Sequence, residues 1–464
     1  MKQNFKIDPW HIIEEKFVPE NNRFSESIFT VGNGNLEMHG NFEECFTGNT
    51  QSGFYISGIY VPYEPHDDIT ANQMHKYLNA PSWIGIKLKI GDLWLDLAKN
   101  KTLEFKRNLN MQDGYFERTF VAEIDDGKKI KIDILRFISM VDNEIGAIRF
   151  VITPLNFSNK ATITIDINAN VENEQNIADE KRWVEVEKTV SSDEMHLTTA
   201  TKKTFYHVCT AVDYQIIQEH AIIKPELLET IDREKHIGHK ISLTLNEGKT
   251  VAIYKFATIL SSLNHAKADL IGIALNKLNS CKSAGFEKLL NNHKKAWTDF
   301  WNINDVIIDG DEQAQQNVRY AIFQLRQHFS FIINGVDVNN ENFFQAITSN
   351  FSTVVQPKKN KPIKYCNSDD ELQFVNLYEF WQNIIFGYAG LELKDNFISL
   401  KPSIPKSWNK LSFNIFHQNC LLTLKIDNKI ISIKNESTQT INIKIFEDEL
   451  VIHAKSTIKH TINI

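Results

Sequence analysis

The chain has few cysteines, no basic stripe and no long apolar run, and each shortage excludes a class of protein. Its five cysteines, Cys45, Cys209, Cys281, Cys366 and Cys420, are odd in number, scattered, and form no CxxC. That pattern argues against a disulfide framework or a zinc site and fits a reducing compartment. The formal net charge is −7 and no cluster of Lys and Arg stands out, so nucleic acid is not an expected partner, because phosphate binding needs a basic stripe. No apolar run approaches the ~20 residues that span a bilayer, so no membrane partner is expected either. The opening MKQNFKIDPWHIIEEKF lacks the apolar region of a secretory signal, and the expected location is cytoplasmic. Internal repeats and low-complexity tracts are missing as well.

What is present suits a soluble globular protein. Hydrophobic residues make up 42% of the 464 positions and charged residues 23%, enough for two or three domains with cores of their own. Thirty Phe and eight Trp supply aromatic mass for packing or for sugar-stacking faces.

From about Trp83 to Leu260 the pattern is strand after strand. Lys129 to Ile134 and Ala161 to Ile167 alternate polar with apolar residues, and period two puts the Ile side chains on one buried face. Gly91-Asp92, Asp125-Asp126-Gly127 and Asn246-Glu247-Gly248 are turn signals between such runs. The spacing then becomes helical: Leu270, Ile273, Ala274 and Leu278, followed by Phe286, Leu289, Leu290, His293 and Trp297. A further helix is predicted over about Glu312 to Phe329, with Asp311 as its N-cap and a stripe of Ala314, Val318, Ala321, Ile322, Leu325 and Phe329. Lys358 to Pro362 reads as loop, and about Glu371 to Phe386 as one helix. Strands return after Phe397: Leu411 to Phe416, Leu421 to Ile426, Ile430 to Ile433, Ile441 to Phe446 and Thr457 to Ile464, with a hairpin turn at Asp427-Asn428.

The expected fold is therefore mainly β with a helical linker: a large antiparallel β-sandwich (1–260), a helical segment (261–330), a loop-and-helix stretch (331–396) and a small C-terminal β-sheet domain (397–464).

Residues that could carry chemistry are few. Glu43-Glu44 is the one acidic pair that catches attention, but neighbours on a strand point to opposite faces and could not act from two sides of one scissile bond. The expectation is a turn or surface edge. Gly32-Asn33-Gly34 lacks the Lys-Ser/Thr of a phosphate loop and reads as a tight turn. His66-Asp67-Asp68 has metal-capable side chains without a matching cluster, and reads as a solvated loop with no metal site. Trp83, Trp94 and Trp183 could stack on sugars, but core packing is the expectation. Trp297, Phe300 and Trp301 read as helix-packing residues.

The ordered stretch Glu26-Ser27-Ile28-Phe29-Thr30-Val31-Gly32-Asn33-Gly34, continued by Gly40-Asn41-Phe42-Glu43-Glu44 and by Gly53 to Tyr60, resembles the opening of glycoside hydrolase family 65, which includes maltose, trehalose and kojibiose phosphorylases. The likeness runs on through Asn79 to Gly85, Arg118-Thr119-Phe120, Arg136 to Ser139, Gly146 to Arg149 and Thr153 to Phe157. Trp297 to Trp301, Gly310-Asp311, Gln315-Gln316 and Arg319-Tyr320 resemble the entry to that family's catalytic domain. Trp381-Gln382, Phe386 to Leu391 and Pro402 to Trp408 resemble its exit. Glu37 and His39 depart from the family's Gly and Arg. Leu377-Tyr378-Glu379-Phe380 stand where it carries small residues, which let a backbone approach closely.

The resemblance implies a catalytic (α/α)6 barrel between these halves, holding the general-acid Glu and the phosphate-binding residues. Twelve helices and their loops need roughly 190 residues, and only the 53 positions from His328 to Phe380 lie between the two likenesses. The chain is thus expected to be an internally truncated relative with no catalytic residue to inherit and no assignable carbohydrate-binding residue. It would be a non-catalytic protein of carbohydrate metabolism that binds a sugar, a second copy of itself or a full-length relative. The alternative is an active phosphorylase or hydrolase acting on an α-linked glucose disaccharide, with a barrel supplied by a partner or a rebuilt site. Carboxylates between Glu26 and Glu44, or around Glu371 and Glu379, would then be candidates. No cofactor is expected, and inorganic phosphate would be a co-substrate only of the active form.

Overall fold

Alternating strands build the first part of the molecule. In the strand Lys128–Ile138, the side chains of Ile130, Ile132 and Ile134 are buried while Lys129 and Lys131 face outward. Each such burial contributes about 1.5–3 kcal/mol, so the alternation fixes which face of the sheet turns inward. The computed structural model describes residues 5–50, 53–61, 76–124, 127–171, 182–332, 343, 377, 379–394 and 397–462. They fall into two compact units, one of Met1–Phe5 with Ile13–Lys294 and one of Lys6–Ile12 with Lys295–Ile464.

The first unit holds a ten-stranded and a five-stranded antiparallel sheet. The larger runs in the order His11–Glu14 (the last two residues of which belong to this unit), Lys101–Asn110, Tyr115–Ile124, Lys128–Ile138, Ile145–Pro154, Val251–Ser261, His207–Gln218, Met195–Thr201 and Trp183–Val190, with Ala221–Ile223 paired to the end of His207–Gln218. The smaller runs Glu226–Arg233, His236–Leu245, Asn159–Asn168, Ile86–Ile90 and Leu93–Trp94. Trp83 is fully buried, and a Cβ on Gly146 of the larger sheet would meet its ring at 2.4 Å. Only glycine lets the indole lie that close to the strand.

Helix Leu270–Ala284 lays Leu270, Ala274, Leu278 and Cys281 on the larger sheet, against Phe137, Ala147, Cys209, Ala211, Phe256 and Leu260. Gly285, at φ 81°, ends it, and Phe286–Asn304 follows. The sandwich thus takes the apolar stripe of the first helix and, with Phe286 and Leu290, the start of the second.

The second unit is built from helix Glu312–Ile332 and two small sheets. Asp311 caps the helix by accepting a hydrogen bond from the Ala314 N–H at 2.9 Å. Burial extends beyond the predicted stripe: Tyr320, Phe323, Gln324 and Gln327 are buried too, so this is a core helix and not an amphipathic surface one. Val306–Asp309, too short to show a period, is a strand that pairs with Lys410–His417. Gln315 satisfies it from the helix, accepting from the Ile308 N–H at 2.6 Å and donating to the Val306 carbonyl at 2.9 Å. That sheet continues through Cys420–Asp427, Ile430–Asn435 and Thr457–Thr461. The other joins Leu391–Lys394, Phe397–Leu400, Ile441–Ile445 and Asp448–Ile452, with one parallel pair between the second and third. Of the helix predicted over Glu371 to Phe386, residues 371–376 and 378 lie outside the described residues. Glu379 is helical, and Asn383–Tyr388 forms a π-helical turn.

Candidate functional site

The strands Lys101–Asn110, Tyr115–Ile124 and Lys128–Ile138 carry three arginines on one buried face. Arg107 stands directly opposite Arg118, and Arg136 is opposite Phe116 on the same face. Like charges across a strand pair repel, and all three side chains are fully buried. The N-terminal segment resolves the conflict with carboxylates. Arg118 holds Glu44 with two bonds, at 2.5 and 2.6 Å, and Glu43 with a third at 2.9 Å. Arg136 takes the other Glu43 oxygen at 2.5 Å and the carbonyls of Asn41 and His39. Arg107 binds Glu14 and the side chain of Asn22, which in turn donates to Glu26 at 2.8 Å. Thr50 also donates to Glu26, at 2.7 Å. The Phe42 ring lies 3.9 Å from the Arg118 guanidinium.

Burial weakens each guanidinium's hold on its proton. At Arg118 the attraction of Glu44 and then Glu43 outweighs this and pushes the pKa up, whereas Arg107 and Arg136 are left below the usual arginine value. The expectation of a surface edge at Glu43-Glu44 is corrected. The pair lies in a bend and not on a strand, so the rule of opposite faces does not apply, and both carboxylates turn onto one arginine. Chemically the cluster is closed. Its acids are buried and already hold hydrogen bonds from arginine, asparagine and threonine donors. A signal for it exists in the sequence: Arg118 and Arg136 occupy the inward positions of otherwise apolar alternations, Phe116-x-Arg118-x-Phe120 and Ile132-x-Ile134-x-Arg136.

The turn predicted at Gly32-Asn33-Gly34 is present and shifted by one residue: Gly32 ends a strand, and Asn33, Gly34 and Asn35 make the turn. The Asn33 side chain accepts from the Asn35 and Leu36 N–H groups and donates to the carbonyls of Ser139 and Asn143, with Gly34 at φ 90°. Glu37 and His39 are both buried next to it. Trp83 and Trp183 are core residues; Trp94 is not, being 40% exposed. Trp297, Phe300 and Trp301 are buried among one another. His66-Asp67-Asp68 and Glu371 lie outside the described residues.

A second group of charges joins the two sheets. The Lys255 Nζ, fully buried, donates to the carbonyls of Gly85 at 2.9 Å and Asp166 at 3.1 Å. Burial pulls its pKa down to about 7 against the attraction of Asp166. Burial would raise the Asp166 carboxyl, but the hydrogen bond from His236 and the ammonium groups of Lys87 and Lys255 take it down to about 2. A Cβ on Gly85 would meet Asp166 Oδ1 at 2.0 Å, so glycine is required there. Beyond His236 the sandwich opens into a cavity of 480 Å³, whose lining includes Asn170, Arg182, Trp183, Arg233 and Lys235.

The profile described as "Glycosyl hydrolase family 65, N-terminal domain" matches residues 12–300, and that of the family's C-terminal domain matches residues 391–452. The chain belongs to glycosyl hydrolase family 65. Among curated relatives, the alpha,alpha-trehalose phosphorylase of Thermoanaerobacter brockii is 28% identical over 344 residues, covering 70% of this chain and 44% of that protein. The maltose phosphorylase of Bacillus subtilis (strain 168) is 29% identical over 326 residues, covering 69% and 42%. The kojibiose phosphorylase of T. brockii is 29% identical over 332 residues, covering 68% and 41%. This family 65 chain spans under half the length of these relatives. A solved structure, "Putative kojibiose phosphorylase from human microbiome", shares its fold with a TM-score of 0.80 at 16% identity, over 99% of this chain and 100% of that one. Among the described residues no helix is long and apolar enough to cross a membrane.

Proposed function

We propose that this family 65 chain is a protein of carbohydrate metabolism, related to the disaccharide phosphorylases, that carries out no glycosyl transfer by itself and acts by binding a sugar or a partner chain. The observation that carries this reading is the state of the sandwich carboxylates. Glycosyl transfer needs a carboxylic acid that can reach the leaving oxygen, and either an anion site or a second carboxyl across the sugar. Glu14, Glu26, Glu43 and Glu44 are instead buried and committed to Arg107, Arg118, Asn22, Thr50 and Arg136.

The intervening stretch supports the same reading. The two family profiles leave positions 301–390 between them, against the roughly 190 residues that a twelve-helix barrel requires. We read this as an internal loss of the barrel.

The deciding experiment is phosphate-dependent release of glucose 1-phosphate by the purified, folded chain, supplied in turn with maltose, trehalose, kojibiose and nigerose. No release is the expected result. Saturable release would overturn the proposal and favour an active phosphorylase with a rebuilt site.

A further inference from the structure

The turn that joins strands Glu226–Arg233 and His236–Leu245 consists of Glu234 and Lys235. Lys235 sits at φ 58°, a left-handed conformation that glycine or asparagine adopts readily and lysine does not. Its backbone is pinned there. The N–H donates to the Glu185 carboxylate at 2.5 Å, and the carbonyl accepts from the Ala169 N–H at 2.8 Å. The strained residue points its long side chain inward, leaving only 4% of it exposed.

The ammonium is poorly served where it ends. Among the described residues its acceptors are the Trp183 carbonyl at 3.4 Å and the Glu234 carboxylate at 3.6 Å, both beyond the ~2.7–3.2 Å of a good hydrogen bond. A buried ammonium with three donors and only distant acceptors is costly. Arg182 and Arg233 line the same cavity and make no ion pair among the described residues. His236 also lines it, with its Nε2 on Asp166 at 2.9 Å. The acid on this lining, Glu234, has a side chain 77% exposed to solvent. The cavity's 480 Å³ falls within the usual range for small-ligand pockets, roughly 300–1,000 Å³.

We infer that this cavity is a binding site for a phosphomonoester dianion, with Lys235 as the buried contact and Arg233 and Arg182 as guanidinium donors. Two guanidinium groups and an ammonium converging on one cavity match a doubly charged phosphate, which guanidinium forks and a lysine point charge both recognise. The void leaves room for a monosaccharide on the phosphate. The site is independent of whether the chain catalyses anything, so its failure would leave the reading of the preceding section untouched.

Isothermal titration calorimetry on the full chain at low salt tests it, with glucose 6-phosphate, inorganic phosphate and glucose in separate arms. Two variants accompany the wild type: Arg233→Gln, at an exposed position, and Lys235→Asn, which keeps a residue that tolerates the left-handed backbone. The expected result is binding of a phosphate-bearing arm, none of glucose, and weakening of about tenfold or more in each variant. Glucose 6-phosphate binding more tightly than inorganic phosphate would support a sugar phosphate as the natural occupant; equal affinities would support free phosphate. Absence of phosphate binding at millimolar concentration, or binding that survives both substitutions, would overturn the inference.

Discussion

Two groups of basic residues in the sandwich have opposite fates. Arg107, Arg118 and Arg136 are fully buried, yet every one reaches a carboxylate. Lys235, equally buried, finds only distant acceptors and faces a void lined by two further arginines. The difference teaches that a buried charge does not mark a site; an incompletely satisfied one beside open space does. A saturated cluster has spent its electrostatic field internally and can only hold the fold in one arrangement.

The largest effect is expected at the saturated cluster. Arg118→Met strands Glu43 and Glu44 without their shared cation, and a loss of about 4 kcal/mol in unfolding free energy is expected, read from urea titration. A loss below 1 kcal/mol would mean that the cluster is not the structural clamp described here.

The next effect belongs to His293, a buried residue satisfied without charge. Its Nε2 donates to the Gly114 carbonyl and its Nδ1 accepts from the Met140 N–H, and burial, despite the Gly114 bond, takes its pKa from 6.5 to about 4. Between those values the unfolded chain binds a proton that the folded chain does not. Stability should therefore fall by about 3 kcal/mol as pH drops from 6.5 to 4. Comparing this slope with that of His293→Gln isolates it, and an unchanged slope in the variant would reject the assignment.

Asp166 gives a smaller effect of the same sign in a lower window. Its folded pKa of about 2 lies below the ordinary 3.8, so its contribution is complete above 3.8. About 2 kcal/mol is lost as pH falls from 3.8 towards 2. Asp166→Asn should lack this acid limb in osmolyte-stabilised samples.

The smallest stability effect is expected at the cavity. Arg233→Gln should change unfolding free energy by no more than about 0.5 kcal/mol, in contrast to Arg118→Met. A large loss there would place Arg233 with the structural arginines.

Much of this was legible beforehand. The Ile alternations of Lys128–Ile138 and Asn159–Asn168, the helical spacing after Leu270, the Asp311 cap and the Asn33 turn all follow from local chemistry, and the structure contains each of them. Val306–Asp309 was not legible, since four residues carry no period and its strand character comes from pairing with a segment a hundred positions later. Nor was the cavity: Arg182 is distant in sequence from Arg233 and Lys235, and only the meeting of two strand ends gathers them.

By itself, the sequence determined the class of fold and the family, because period, turn residues and ordered motifs are local and survive without knowledge of what touches what. Tertiary structure alone decided the meaning of the charges. Whether Glu43 and Glu44 face water or an arginine, and whether Lys235 is satisfied, depends on which groups from remote strands arrive within a few ångströms. Desolvation and pairing act over that distance, and no spacing along the chain encodes it.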